Sequence, residues 1–273
     1  MPTLLDLLYV ALIAVAWPLF DHFVLWPAFL RRSKADPARG RTWIWAVTIG
    51  QQWALVAAGA ALWVSNDRSW RSVGLSVPDG WRLWTSLSLV LLLAAYYART
   101  AAIVARSSRA KASVRKQFGE LSAILPHSGA ELCWFVGVSL TAGFCEEFLF
   151  RGYFIWAFAP WLGWWGAAAL SLPIFASLHA YQGWKGALRT GGVGVLFTLA
   201  VAVFDSLGPA IALHALVDLG AGLIAWPALR EEPAKADMTE AEKQKETQVA
   251  PATESKGERE QNAEPSSGSS NRE

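Results

Sequence analysis

Charge is scarce in this chain. Asp, Glu, Lys and Arg make up 17% of its 273 residues, against about 25% in an ordinary soluble domain. Too few charged side chains remain to solvate a globular surface of this size, which excludes a soluble enzyme or a nucleic-acid-binding module. Cysteine is scarcer still. Cys133 and Cys145 both lie in apolar surroundings, so no disulfide framework and no paired-cysteine zinc motif is available. The first residues, Met1 to Asp6, lack a positively charged leader and a small-residue cleavage site, so the first apolar run is expected to stay as a membrane span. No internal repeat is evident.

What the chain has in abundance is apolar length. Hydrophobic residues supply 53% of it, and sixteen residues are tryptophan. A membrane span takes about 20 mostly apolar residues. Seven stretches approach that length: 4–29, 43–64, 83–105, 131–158, 162–181, 187–204 and 209–228. The predicted fold is an all-α, polytopic membrane helical bundle of about seven transmembrane helices. The first stretch is over-long and carries Asp21 and His22 just after Trp17 and Pro18. Asp21 lies near a span end, where a polar side chain is expected to reach the interface.

The charges that exist are segregated. Beyond Arg230 lie eleven of the 22 acidic residues but six of the 24 basic ones, leaving 18 basic against 11 acidic residues in 1–230. Arg31, Arg32, Lys34, Arg39 and Arg41 crowd the first connection, and Arg106, Arg109, Lys111, Arg115 and Lys116 the third. Basic connections mark the cytoplasmic side. The expected topology puts the N-terminus outside and the C-terminal tail inside, in a membrane of bacterial cytoplasmic type. Three regions follow: N-terminal spans and basic loops at 1–124, a helical core at 125–229, and a charged tail at 230–273 too polar to fold.

Ionisable side chains inside spans are costly and are functional candidates by default. Three groups qualify. Glu146-Glu147 is followed by Arg151; Glu147 and Arg151 are i,i+4 neighbours able to pair, whereas Glu146 is rotated about 100° away and can face a cavity. Phe175 precedes His179 by one turn, able to shield or orient its ring. His214 and Asp218 share one helix face. Each taken alone also reads as a structural ion pair or a hydrogen-bonded core histidine. Taken together, a carboxylate and two imidazoles can activate water and stabilise an oxyanion. They are also a plausible zinc set, through Glu146, His179 and His214.

The sequence Glu-Glu-x-x-x-Arg at 146–151, Phe-x-x-x-His at 175–179 and His-x-x-x-Asp at 214–218 resembles the CAAX protease and bacteriocin-processing (CPBP, or Abi) family over about residues 125–228. The last position of that family is often Asn; here it is Asp218. The resemblance implies an intramembrane endopeptidase. Glu146 would be the general base, with His179 sharing its water. His214 and Asp218 would stabilise the oxyanion, and Glu147 and Arg151 would orient the others. It leaves open whether a metal takes part, and no His-Glu-x-x-His motif is present. The expected partners are a peptide or lipidated-protein substrate and membrane lipids. The alternative is a catalytically silent peptide-binding or bacteriocin-immunity membrane protein. Straight spans also set a difficulty: they place His179 on the order of 10 Å from the depth of Glu146.

Overall fold

The computed structural model describes residues 1–230, which form one compact unit; the expected tail lies outside the described residues. Every long element is helical: α1 (Leu4–Ala35), α2 (Pro37–Val64), α3 (Gly80–Arg106), α4 (Ser108–Phe118), α5 (Gly129–Ser177), α6 (Gly183–Phe204) and α7 (Leu207–Leu229). Six of them, all but α4, are long and apolar enough to cross a membrane. Large apolar side chains such as Leu91, Leu92, Tyr96, Leu196 and Val203 remain exposed on the outside of the bundle, as a lipid-facing surface requires. The chain is an integral membrane protein with a polytopic helical bundle.

The over-long first stretch is a single continuous helix with two wide turns. Its π-helical segments, Leu12–Ala16 and Asp21–Leu25, run directly into Trp17-Pro18 and Trp26-Pro27. Proline has no N–H to donate and its ring crowds the carbonyl four residues back. Widening the preceding turn relieves that clash without breaking the helix. The third connection is not a polar loop. Its basic residues from Arg109 to Lys116 ride on α4, whose Val114 packs with Val104 and Ala228, and the Arg115 Nε–H donates to the Ala228 carbonyl.

The two stretches expected at 131–158 and 162–181 are the two arms of α5, divided close to the expected boundary, at Gly163. Its φ of 67° and ψ of 165° suit glycine alone among the common residues. From there the chain folds back on itself. Trp164 packs with Phe158, and Ala167 with Ile155; the Ser171 hydroxyl donates to the Phe150 carbonyl at 3.3 Å; the Phe175 and Phe150 rings lie 5.5 Å apart. The returning arm, 164–177, is about 21 Å long, short of the ~30 Å hydrocarbon core. His179, just past the end of that arm, lines the same cavity as Glu146, where straight spans had set the two at different depths.

The helices approach closely where glycine permits it. α7 packs against α3 and α5. A Cβ on Gly220 would fall 2.4 Å from the Tyr97 ring, and one on Gly222 2.5 Å from that of Phe135. A Cβ on Gly143 would lie 2.8 Å from the Ala215 Cβ and 2.9 Å from its backbone nitrogen, beside Glu146 and His214. Small residues at such crossings are how membrane helices gain contact. Gly143→Val is expected to push α7 outward and cost about 1–3 kcal/mol, read as a lower unfolding midpoint in detergent. An unchanged midpoint would show that the crossing has slack.

Candidate active site

Glu147 anchors the site. It begins a π-helical segment, Glu147–Phe154, in which every residue is buried. The i,i+4 pair expected from spacing is present, with Arg151 Nη1 donating to Glu147 Oε1 at 3.1 Å. The same oxygen accepts from His214 Nδ1–H at 2.8 Å. Arg151 is held in turn by α6, donating from Nη2 to the Gly194 carbonyl at 3.1 Å, with its guanidinium 4.0 Å over the Phe175 ring. A Cβ on Gly194 would come within 2.7 Å of Arg151 Nη2, so glycine there permits the close approach.

Glu146 faces the other way, into a cavity of about 390 Å³ that it lines together with Phe175, His179, His214 and Asp218. All four proposed catalytic positions therefore meet at one chamber. His214 Nε2 stands 3.9 Å from Glu146 Oε2 and 3.7 Å from Asp218 Oδ2. Its ring stacks on Phe197 at 4.7 Å. His179 sits where the returning arm of α5 unwinds; its Nδ1–H donates to the Phe175 carbonyl at 3.1 Å, which leaves Nε2 for the chamber. The Phe175 ring lies 5.0 Å from His179 and 6.2 Å from His214, wedged between the two imidazoles.

Zinc takes four ligands at about 2.0–2.3 Å. Both imidazoles commit Nδ1 to a carbonyl or a carboxylate and leave Nε2 to the chamber, an orientation that serves proton transfer and metal ligation alike. Among the described residues no three His, Cys, Asp or Glu side chains are grouped to hold a metal ion, and the chemistry below is derived from the side chains themselves.

Sequence reasoning missed the contribution of the N-terminal helices. Gln52 of α2 donates from Nε2 to Glu146 Oε1 at 2.8 Å, and Trp17, Asp21, Trp26 and Gln51 line the same chamber. Asp21 does not reach out to the interface, contrary to expectation; it is turned inward beside Glu146. Arg41, expected in a basic loop, is buried and donates to Glu131 Oε1 from both Nε and Nη2, at 3.1 and 2.8 Å. At the opposite end the buried Asp6 accepts two bonds from Arg68, at 2.8 and 2.6 Å, and one from the Tyr153 hydroxyl. Those carboxylate bonds hold the Arg68 guanidinium above its ordinary pKa. The one available signal was a polar side chain standing alone in an apolar run.

Removing Glu147 tests the anchor. Glu147→Ala leaves Arg151 buried without its carboxylate, which costs about 3–5 kcal/mol. The expected outcome is a lower unfolding midpoint together with loss of whatever activity the site has. A midpoint equal to wild type would show that α5, α6 and α7 are held by packing alone.

Comparison with known proteins agrees with this geometry. Residues 128–220 match the family model for type II CAAX prenyl endopeptidase, Rce1-like. That segment includes Glu146, Glu147, Arg151, His179, His214 and Asp218, and spans roughly a third of the chain. No curated protein and no solved structure matches the chain. Over residues 128–220, then, this membrane protein is similar to type II CAAX prenyl endopeptidases of the Rce1-like kind.

Proposed function

We propose that the protein is an intramembrane endopeptidase that hydrolyses a peptide bond of a lipidated or membrane-associated peptide within the chamber. The observation that carries this reading is the buried Glu146 Oε2. It has no partner within hydrogen-bond reach, stands at the chamber wall, and faces His214 Nε2 at 3.9 Å. A carboxylate oxygen held this way is a general base awaiting a proton donor.

In the proposed reaction a water molecule gives one hydrogen to Glu146 Oε2 and directs the other to the His179 Nε2 lone pair. The water oxygen bonds to the peptide carbonyl carbon as Glu146 takes its proton, and the carbonyl π pair moves onto oxygen. His214 in its imidazolium form keeps Nδ1–H on Glu147 and offers Nε2–H to that oxyanion. Asp218, as a carboxylic acid, adds an O–H from one turn further along α7. Collapse of the intermediate breaks the C–N bond, and Glu146 returns the proton to the leaving nitrogen. The products are a carboxylic acid and an amine.

Substrate class follows from the chamber's other walls. Ile44, Trp45, Phe118, Leu125, Phe135 and Val138 give it an apolar side, suited to an acyl-like chain or to large apolar side chains. The matched family is named for prenylated CAAX sequences, and such a peptide is the first probe to use. The basic ends of α1 and α4 are read as cytoplasmic, so the substrate would be met from that side.

The test is hydrolysis of a farnesylated CAAX-type peptide, and of its unmodified counterpart, by purified protein in lipid. Glu146→Ala is expected to lower kcat by about 10²–10⁴-fold while folding normally, and His214→Ala to lower it by a similar factor with a reduced unfolding midpoint, because it strips Glu147 of a partner. Asp218→Ala is expected to lose activity, whereas Asp218→Asn keeps a donor at the same place and retains most of it. Activity surviving Glu146→Ala in folded protein would favour a silent peptide-binding role instead.

A further inference from the structure

The side chain hydrogen-bonded to Glu146 Oε1 comes from outside the matched segment. Gln52 lies on α2, 94 positions before Glu146. It is 2% exposed, although nothing in the packing of α2 on α5 calls for an amide there. That contact is already made by Trp53, whose ring stacks 5.4 Å from that of Phe144 and whose Nε1–H donates to Thr141 at 3.2 Å. Burying an amide costs free energy unless its hydrogen bonds are made. Gln52 makes only one, through Nε2 to Glu146 Oε1 at 2.8 Å, and its Oε1 is buried without a partner. A glutamine kept purely for structure would satisfy both ends.

The position of this bond matters to the chemistry. Glu146 has two carboxylate oxygens with different neighbours. Oε1 is fixed on Gln52 of α2, and Oε2 points toward His214 of α7. A free glutamate side chain rotates about its terminal bond, and its basic lone pairs then point in no fixed direction. Pinning Oε1 fixes the carboxylate plane and presents Oε2 to the chamber. An N–H donor on Oε1 also favours the ionised carboxylate, the form a general base needs.

We infer that Gln52 is the positioning residue for the general base: its amide N–H holds Glu146 so that Oε2 addresses the attacking water. The active site thereby extends beyond residues 128–220 into α2, and that segment alone would hold its base loosely. This inference rests on the peptidase reading. A misplaced base slows the chemical step and leaves the apolar walls that bind substrate intact, so the loss belongs in kcat rather than KM.

The experiment uses the full chain in lipid with the farnesylated CAAX-type peptide and compares wild type, Gln52→Leu, Gln52→Met and Glu146→Ala. Gln52→Leu removes the donor and keeps the bulk. Gln52→Met keeps the unbranched shape and offers Glu146 no hydrogen. The expected result for both is a kcat lower by about 10²-fold, a KM within about threefold of wild type, and an unchanged unfolding midpoint. A folded variant with kcat within about twofold of wild type, or with a raised KM alone, would overturn the inference. If wild type cleaves no better than Glu146→Ala, the peptidase reading itself falls and this inference falls with it.

Discussion

A single buried carboxylate oxygen organises the half of this protein that holds the proposed site. Glu147 Oε1 accepts from both Arg151 Nη1 and His214 Nδ1. Arg151 carries that link on to the α6 backbone at Gly194, so α5, α6 and α7 meet at one charge. An ionised group so deeply enclosed is tolerable only while its partners are in place. The same constraint sets the direction of the neighbouring residue. With Glu147 committed to the interior, Glu146 is turned toward the chamber, and the ring of His214 is held with Nε2 facing it.

The chamber owes its depth to backbone geometry rather than to charge. Gly163 reverses the chain inside α5, and the short returning arm ends with His179 unwound opposite Glu146. Phe175 then separates the two imidazoles while covering the Arg151 guanidinium. The N-terminal helices close the remaining side. Their contribution is polar as well as apolar, through Gln52 on the base and Asp21 beside it, and Arg41 ties α2 to the start of α5. The matched segment thus builds most of the chamber, and the rest of the chain supplies its fourth wall.

How much of this was legible in the sequence depended on separation along the chain. Local spacing gave the Glu147–Arg151 pair, the divergence of Glu146 from Glu147, and the pairing of His214 with Asp218, because each is an i,i+4 or adjacent relation within one helix. The convergence of three separate motifs was readable only through family resemblance. Gln52 with Glu146, Arg41 with Glu131 and Asp6 with Arg68 were not readable, being separated by 94, 90 and 62 positions; no period relates such residues. Backbone departures were hidden for a different reason. A composition window sees apolar length: it separated the two arms of α5, but neither the tightness of the reversal at Gly163 nor the wide turns before Pro18 and Pro27 change that length. The Trp-Pro pairs marked the latter, but only the folded helix shows that they widen it rather than end it.

The central claim is that this chamber cuts peptide bonds using Glu146. The most direct measurement is a comparison of new peptide termini in membranes from cells making wild-type protein or Glu146→Ala at matched abundance. Termini present with wild type and absent with the variant are the predicted result, and their sequences would define the substrate. Identical sets of termini, with both proteins folded and embedded, would contradict the claim.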